Sequence, residues 1–156
     1  MFEKLRGVNE SELIQLRIDF EKIMTKHSFL KKHLIHEEGA ICNHLYLIEK
    51  GVIRSFYHKD GKDITAHFAL ERDAITAIDS FIQRKHSRYN IEVLEDAEVW
   101  LIDHQDMLEL LTRKPQYERY IRLFLEQVYV DLVERVEGLL FFTAKERYNQ
   151  LIEKNP

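Results

Sequence analysis

Arg84, Lys85, His86 and Arg88 place four basic side chains in five consecutive positions of DAITAIDSFIQRKHSRYNIEVLED, Asp73 to Asp96. Such a cluster could hold a phosphate or another anion through charge-assisted hydrogen bonds. The stretch contains no glycine to bring backbone N–H groups close to a phosphate, as a cradling loop requires. A solvated connection is the plainer reading, and the sequence alone favours it, because an isolated run of like charge usually faces water. The eight histidines raise the question of metal chemistry, above all the pairs His33/His36 and Cys42/His44. Four ligands at zinc-type spacing are missing, and one cysteine builds neither a closed zinc site nor an iron–sulfur centre. We therefore expect no metal and no cofactor. The sequence also lacks a P-loop, a dinucleotide fingerprint and a Gly-x-Ser-x-Gly elbow, so we do not expect an enzyme.

The elements that must position these residues can be read from the periodicity. NESELIQLRIDFEKIM puts Leu13, Leu16, Phe20, Ile23 and Met24 on one helical face, and Asn9 with Glu12 forms a capping-box pair. SFLKKHLIHEEG follows as a second short apolar and basic stretch that turns at Gly39. The period then changes to two: HLYLIEKGVIRSFYHKDGKDITAHFAL reads as three strands with turns at Gly51 and Gly61, and NIEVLED and AEVWLI are further strands. Short strands with closely spaced turns point to an antiparallel sandwich or barrel.

From Ile102 onward the pattern is helical. DHQDMLELLTRK is a short helix that Asp103 can cap, and Pro115 suits the first turn of the next helix. That helix, PQYERYIRLFLEQVYVDLVERVEGLLFF, runs for about 28 residues, or roughly 42 Å. Along it Leu125, Val128, Leu132, Val136 and Leu139 recur at spacings of 3 and 4, a stripe suited to a partner helix. Thr143 and Glu146 in TAKE cap one last helix, with Tyr148, Leu151 and Ile152 on one side.

The totals narrow the function. Net charge is −4, from 23 Lys+Arg against 27 Asp+Glu, so the chain does not grip nucleic acid by itself. A 45% hydrophobic share supports a real core. No apolar run approaches the roughly 18–20 residues that span a bilayer, and the charged opening MFEKLRGVNESEL does not read as a secretory signal. We expect a cytoplasmic protein with no membrane partner.

Taken in this order, the parts resemble the Crp/Fnr family of bacterial transcription regulators. The residues that carry the resemblance are LIHEEGAICNHLYLIEKGVIRSFYHKDGKDI, AEVWLIDHQDMLELL and TAKERYNQLI, and the likeness extends over essentially the whole chain. It implies an α+β fold: an antiparallel β jelly roll (double-stranded β-helix) with N-terminal helices and a long C-terminal dimerisation helix. It further implies a cyclic-nucleotide-binding-like sensor domain over 1–112 and a dimerisation helix over 113–142. Residues 143–156 would be the first helix of a truncated helix-turn-helix reader, with about 50–60 further residues expected beyond it. On this reading the chain is the effector-sensing and dimerisation part of a DNA-binding regulator. It pairs with a second copy through Leu125, Val128, Leu132, Val136 and Leu139, reaches DNA through the missing domain, and has RNA polymerase as a further partner. The alternatives are a cyclic-nucleotide-binding-like module of a kinase or channel and a cupin-type metal enzyme. TAKERYNQLI argues against the first, and the absence of any His-x-His argues against the second.

Family members that bind cyclic AMP carry Gly-Glu-Leu after a strand, then a short helix, then Arg followed by Ser or Thr. Aligned without a gap, the first three fall on Thr76, Ala77 and Ile78, and the pair falls on Ser87 and Arg88 in reversed order. The base-contacting polar pair falls on Leu132 and Val133. The resemblance thus places the ligand positions at Thr76, Ala77, Ser87, Arg88, Leu132 and Val133, but with almost none of the family's polar partners. A phosphodiester without its arginine loses a bond worth about 1.5–3 kcal/mol. Arg88 is no substitute if it shares a strand with Ser87, because neighbours there point to opposite faces. We expect that cyclic AMP is not bound. Either another effector uses the basic loop, or the roll is filled by its own side chains.

Overall fold

The computed structural model describes residues 9–154, which divide into two compact units between Pro115 and Gln116. The first unit is built on eight strands: β1 (Met24–Phe29), β2 (Leu34–His36), β3 (His44–Lys50), β4 (Ile53–Lys59), β5 (Lys62–Ala69), β6 (Ala74–Ile75), β7 (Asn90–Val93) and β8 (Ala97–Asp103). They form two antiparallel four-stranded sheets, ordered β1-β8-β3-β6 and β2-β7-β4-β5. This is the expected jelly roll. Its core takes Ile53, Ile91 and Val93 from one sheet and Ile48, Val99 and Ile102 from the other, all essentially without solvent contact.

Turn chemistry sets the registers. Asp60 and Gly61 both have positive φ (52° and 73°) and join β4 to β5 as a two-residue hairpin between the paired Lys59 and Lys62. Gly51 sits at φ 102°, where a Cβ would come 2.7 Å from that of Ala97. Only glycine lets the β3–β4 turn lie this close to the start of β8.

α1 (Glu10–Glu21) starts at the expected capping box, with Asn9 Oδ1 accepting from the Glu12 amide at 2.8 Å. It buries Leu16, Phe20 and the carboxylate of Asp19, which receives Lys22 Nζ at 2.9 Å and the ammonium of Lys114. The expectation of several N-terminal helices needs correction: among the described residues α1 is the one helix ahead of the roll. Ile23 and Met24 leave its face, and SFLKKHLIHEEG supplies the end of β1, a turn and β2. Pairing decides the outcome, since β1 matches β8 at six positions from Met24↔Ile102 to Phe29↔Ala97. Long-range ladder bonds here override a local pattern that either structure could satisfy. α2 (Ile78–Gln83) follows β6, and α3 (His104–Arg113) starts at Asp103, whose side chain accepts from the Gln105 amide at 2.7 Å.

In the C-terminal stretch, Pro115–Tyr117 winds as a single 3-10 turn and α4 follows over Glu118–Phe141. Its 24 residues span about 36 Å. It is shorter than the expected 28 residues because the Pro115 turn is tighter than α and Phe142 is extended, at φ −116°, ψ 143°. Leu125, Val128, Leu132, Val136 and Leu139 are all exposed along it. α5 (Ala144–Lys154) opens on the expected box, in which Glu146 accepts from the Thr143 amide at 2.8 Å and Thr143 Oγ1 from the Glu146 amide at 3.3 Å. Among the described residues no helix is long and apolar enough to cross a membrane.

Candidate effector site

Thr76, Ala77, Ser87 and Arg88 all belong to the segment between β6 and β7 in the first unit, whereas Leu132 and Val133 are exposed residues of α4 in the second. Thr76, which the resemblance aligns with a glycine, does not adopt positive φ. Its hydroxyl donates to the His44 carbonyl at 2.9 Å and lies 3.3 Å from Cys42 Sγ. Ala77 is buried at the start of α2 and offers no side-chain cap. Ser80, fully buried within α2, accepts from the Cys42 amide at 2.9 Å and donates to the Lys85 carbonyl.

Ser87 has every polar group engaged within the chain. Its amide donates to Ala40 O and its carbonyl accepts from Gly39 N, each at 2.9 Å. Its hydroxyl accepts from Tyr89 N at 2.9 Å and donates to Tyr89 O at 3.0 Å. Ser87 and Arg88 do not share a strand, as the sequence suggested. They lie in a loop just beyond an isolated bridge between Ile41 and His86. They still part company, Ser87 buried and Arg88 exposed.

All four side chains of the basic cluster are exposed, and three of them also bond within the chain. Arg84 ends α2 in the left-handed region, at φ 55°, and turns its guanidinium back onto the β2–β3 connection. There it donates to Cys42 O at 2.9 Å and to Asn43 Oδ1, with a longer bond of 3.3 Å to Phe81 O. Lys85 pairs with Asp79 at 3.2 Å, and His86 Nδ1 donates to Gly39 O at 2.7 Å. Of the four, only Arg88 forms no hydrogen bond or ion pair among the described residues. The bonds of Arg84 take three of the five N–H donors of its guanidinium and fix its direction against the connection.

The suspected metal pairs come apart. His33 is exposed and stacks on Phe29 at 5.2 Å, while His36 is buried. Cys42 Sγ faces Thr76 and the His44 carbonyl, and the His44 ring turns towards Asp103, 3.8 Å away. Among the described residues no three His, Cys, Asp or Glu side chains are arranged to hold a metal ion. His36 and His44 do line one open pocket of about 310 Å³ beside the β2–β3 connection. Burial, reinforced by His44 and opposed by Glu37, holds His36 below the ordinary imidazole range. Burial and then the Arg84 charge do the same to His104, against the pull of Asp103.

Residues 26–114 match the model of the cyclic nucleotide-binding domain. The chain belongs to that family. This cyclic nucleotide-binding domain is 32% identical over 94 residues to the anaerobic regulatory protein of Bacillus subtilis (strain 168), covering 60% of this chain and 38% of that protein. Its fold resembles the catabolite activator protein of Thermus thermophilus, with a TM-score of 0.67 at 17% identity over 88% of this chain and 62% of that one. It also resembles a c-di-GMP-responsive global regulator of Xanthomonas campestris, with a TM-score of 0.69 at 12% identity over 90% and 70% of the two chains. The chain thus spans 38% of the curated relative and 62% of the Thermus structure. At these identities the two structures speak for the fold. Family and relatives together make this a domain of the Crp/Fnr-regulator type.

Sequence reasoning placed the segment but missed the residues that close it. Arg84, Ser80 and Asn43 were not singled out for this role. Ser80 carried a usable signal, as a hydroxyl set among the apolar Ile78, Phe81 and Ile82. Arg84 carried none, because its partner Cys42 lies 42 residues away.

Proposed function

We propose that this chain is the sensor and dimerisation part of a Crp/Fnr-like DNA-binding transcription regulator, and that its roll does not take cyclic AMP in the usual way. The supporting observation is the self-closure of residues 76–88: Thr76, Ser80, Arg84 and Ser87 bond to residues 39–44, to residue 89 and within the segment itself. Of the readings open from the sequence, this favours a roll satisfied by its own groups over one that grips an anion with the basic loop. If an effector enters, it does so past Thr76, Ala77, Ser87 and Arg88 of the first unit. The protein is not an enzyme and acts in the cytoplasm. Its partners are a second copy through α4, DNA through a reader domain that α5 begins, and RNA polymerase.

The α4 stripe supports the dimer, because five apolar side chains exposed along one helix are costly to leave in water. Sedimentation velocity of the purified chain tests it. A dimer at micromolar concentration is expected, and a monomer at all concentrations would contradict the assignment.

A further inference from the structure

Four of the eight histidines stand around one short connection, residues 37–43 between β2 and β3. His36 and His44 flank it, His86 donates to Gly39 O, and the His104 amide donates to Asn43 O at 2.8 Å. The same connection carries the bonds that close the basic segment: Gly39 N to Ser87 O, Ser87 N to Ala40 O, Cys42 N to Ser80 Oγ, and Arg84 to Cys42 O and Asn43 Oδ1.

Two of these rings hold a buried nitrogen with no hydrogen-bond partner among the described residues, His36 Nε2 and His104 Nδ1. A neutral imidazole can leave one lone pair unmet at small cost. An imidazolium carries two N–H donors and a charge, and burying one of those donors without an acceptor is strongly disfavoured. The ionisable groups facing His36 are Glu37 from the connection itself and His44 from β3, the latter turned towards Asp103. Those facing His104 are Arg84, from the segment after α2, and Asp103 at the end of β8. α2 contributes only the ring edge of Phe81, at a centroid distance of 5.0 Å from His104. Protonating His104 therefore sets a second cation beside Arg84, while protonating His36 sets one beside His44. His86 differs in that its Nδ1–H already points at a carbonyl, that of Gly39.

We propose that residues 37–43 and 84–87 form a proton-operated latch, closed while His36 and His104 are neutral and opened when they are protonated, which releases Arg84 from Cys42 and Asn43. The two rings lie on opposite sides of the connection in the chain, at the end of β2 and the start of α3. Opening therefore frees the loop while the ladders of β4, β7 and β8 stay paired. The latch stands apart from the question of which effector the domain takes, and a nucleotide-binding result of either sign leaves it testable.

Amide hydrogen exchange on the whole chain, corrected for intrinsic pH dependence, reads the latch directly. As pH falls below the ordinary histidine value of 6.5, the Gly39, Cys42 and Ser87 amides should lose protection relative to β4, β7 and β8. The loss should be at least about tenfold, or about 1.4 kcal/mol of opening free energy. In the same sample, NMR titration of the His36 and His104 rings should run in step with that loss. The double variant His36→Leu, His104→Leu keeps apolar volume and cannot take up these protons, so it should keep its protection on acidification. Protection that is unchanged on acidification in the native chain, or lost equally in the double variant, overturns the proposal. Should the double variant fail to fold, ring titration of the native chain without any matching amide change overturns it equally.

Discussion

The segment from Thr76 to Arg88 and helix α4 solve opposite problems. In the segment, Thr76, Ser80, Arg84, Lys85, His86 and Ser87 are each bonded to the chain, while Gln83 and Arg88 form no hydrogen bond or ion pair among the described residues. Along α4, Leu125, Val128, Leu132, Val136 and Leu139 are exposed among the described residues. The contrast locates the outside requirement of this protein. On the proposed reading, the roll would need no charged ligand to complete it, whereas the helix would need an apolar surface.

The largest effect should come from charging the helix stripe. Leu132→Glu buries a carboxylate in the paired state and should weaken dimerisation by about 4 kcal/mol or more, roughly a thousandfold. Sedimentation equilibrium would show a monomer, and a dimer of unchanged strength would remove α4 from the interface. The self-closed segment is broken most cleanly at Ser80. Ser80→Ala leaves the Cys42 amide buried without its partner and removes the bond to the Lys85 carbonyl, and should cost about 1–3 kcal/mol in chemical denaturation. A near-neutral result would mean that the closure contributes little.

Acidification should sharpen the contrast further. His36 and His104 both titrate below 6.5 in the folded chain, so the unfolded chain binds more protons just below that value. Their contribution to stability is complete above 6.5 and is lost as pH falls beneath it. Denaturation midpoints should therefore stay level between about pH 8 and 7 and decline below 6.5. A level midpoint through that decline would contradict the placement of both rings. The smallest effect belongs to the outer face of the roll, where Lys26 reaches Glu49 and Glu98 at 2.7 Å each and lies over Trp100. These groups are open to solvent, and Lys26→Met should leave the denaturation midpoint where it was.

Much of the fold was legible because it is written locally. The Asp60-Gly61 hairpin, the boxes at Asn9/Glu12 and Thr143/Glu146 and the cap at Asp103 each need only neighbours a few residues apart. β1 was illegible for the opposite reason. MTKHSF is exposed through its middle and so shows no alternation, and its partner β8 lies more than sixty residues on. The candidate site divides in the same way. The family's order of parts offered Thr76, Ala77, Ser87 and Arg88 as candidates, but the bonds that close the segment come from Gly39 to His44, about forty residues earlier. No periodicity reports such a contact. Even the left-handed turn at Arg84, which aims its guanidinium inwards, occurs at a residue type that seldom adopts it.

Isothermal titration calorimetry of the purified chain with cyclic AMP and cyclic GMP at neutral pH is the most direct measure of the self-closed roll. The bonds of Thr76, Ser80, Arg84 and Ser87 predict no saturable heat through the micromolar range. A micromolar dissociation constant for either nucleotide would contradict that reading.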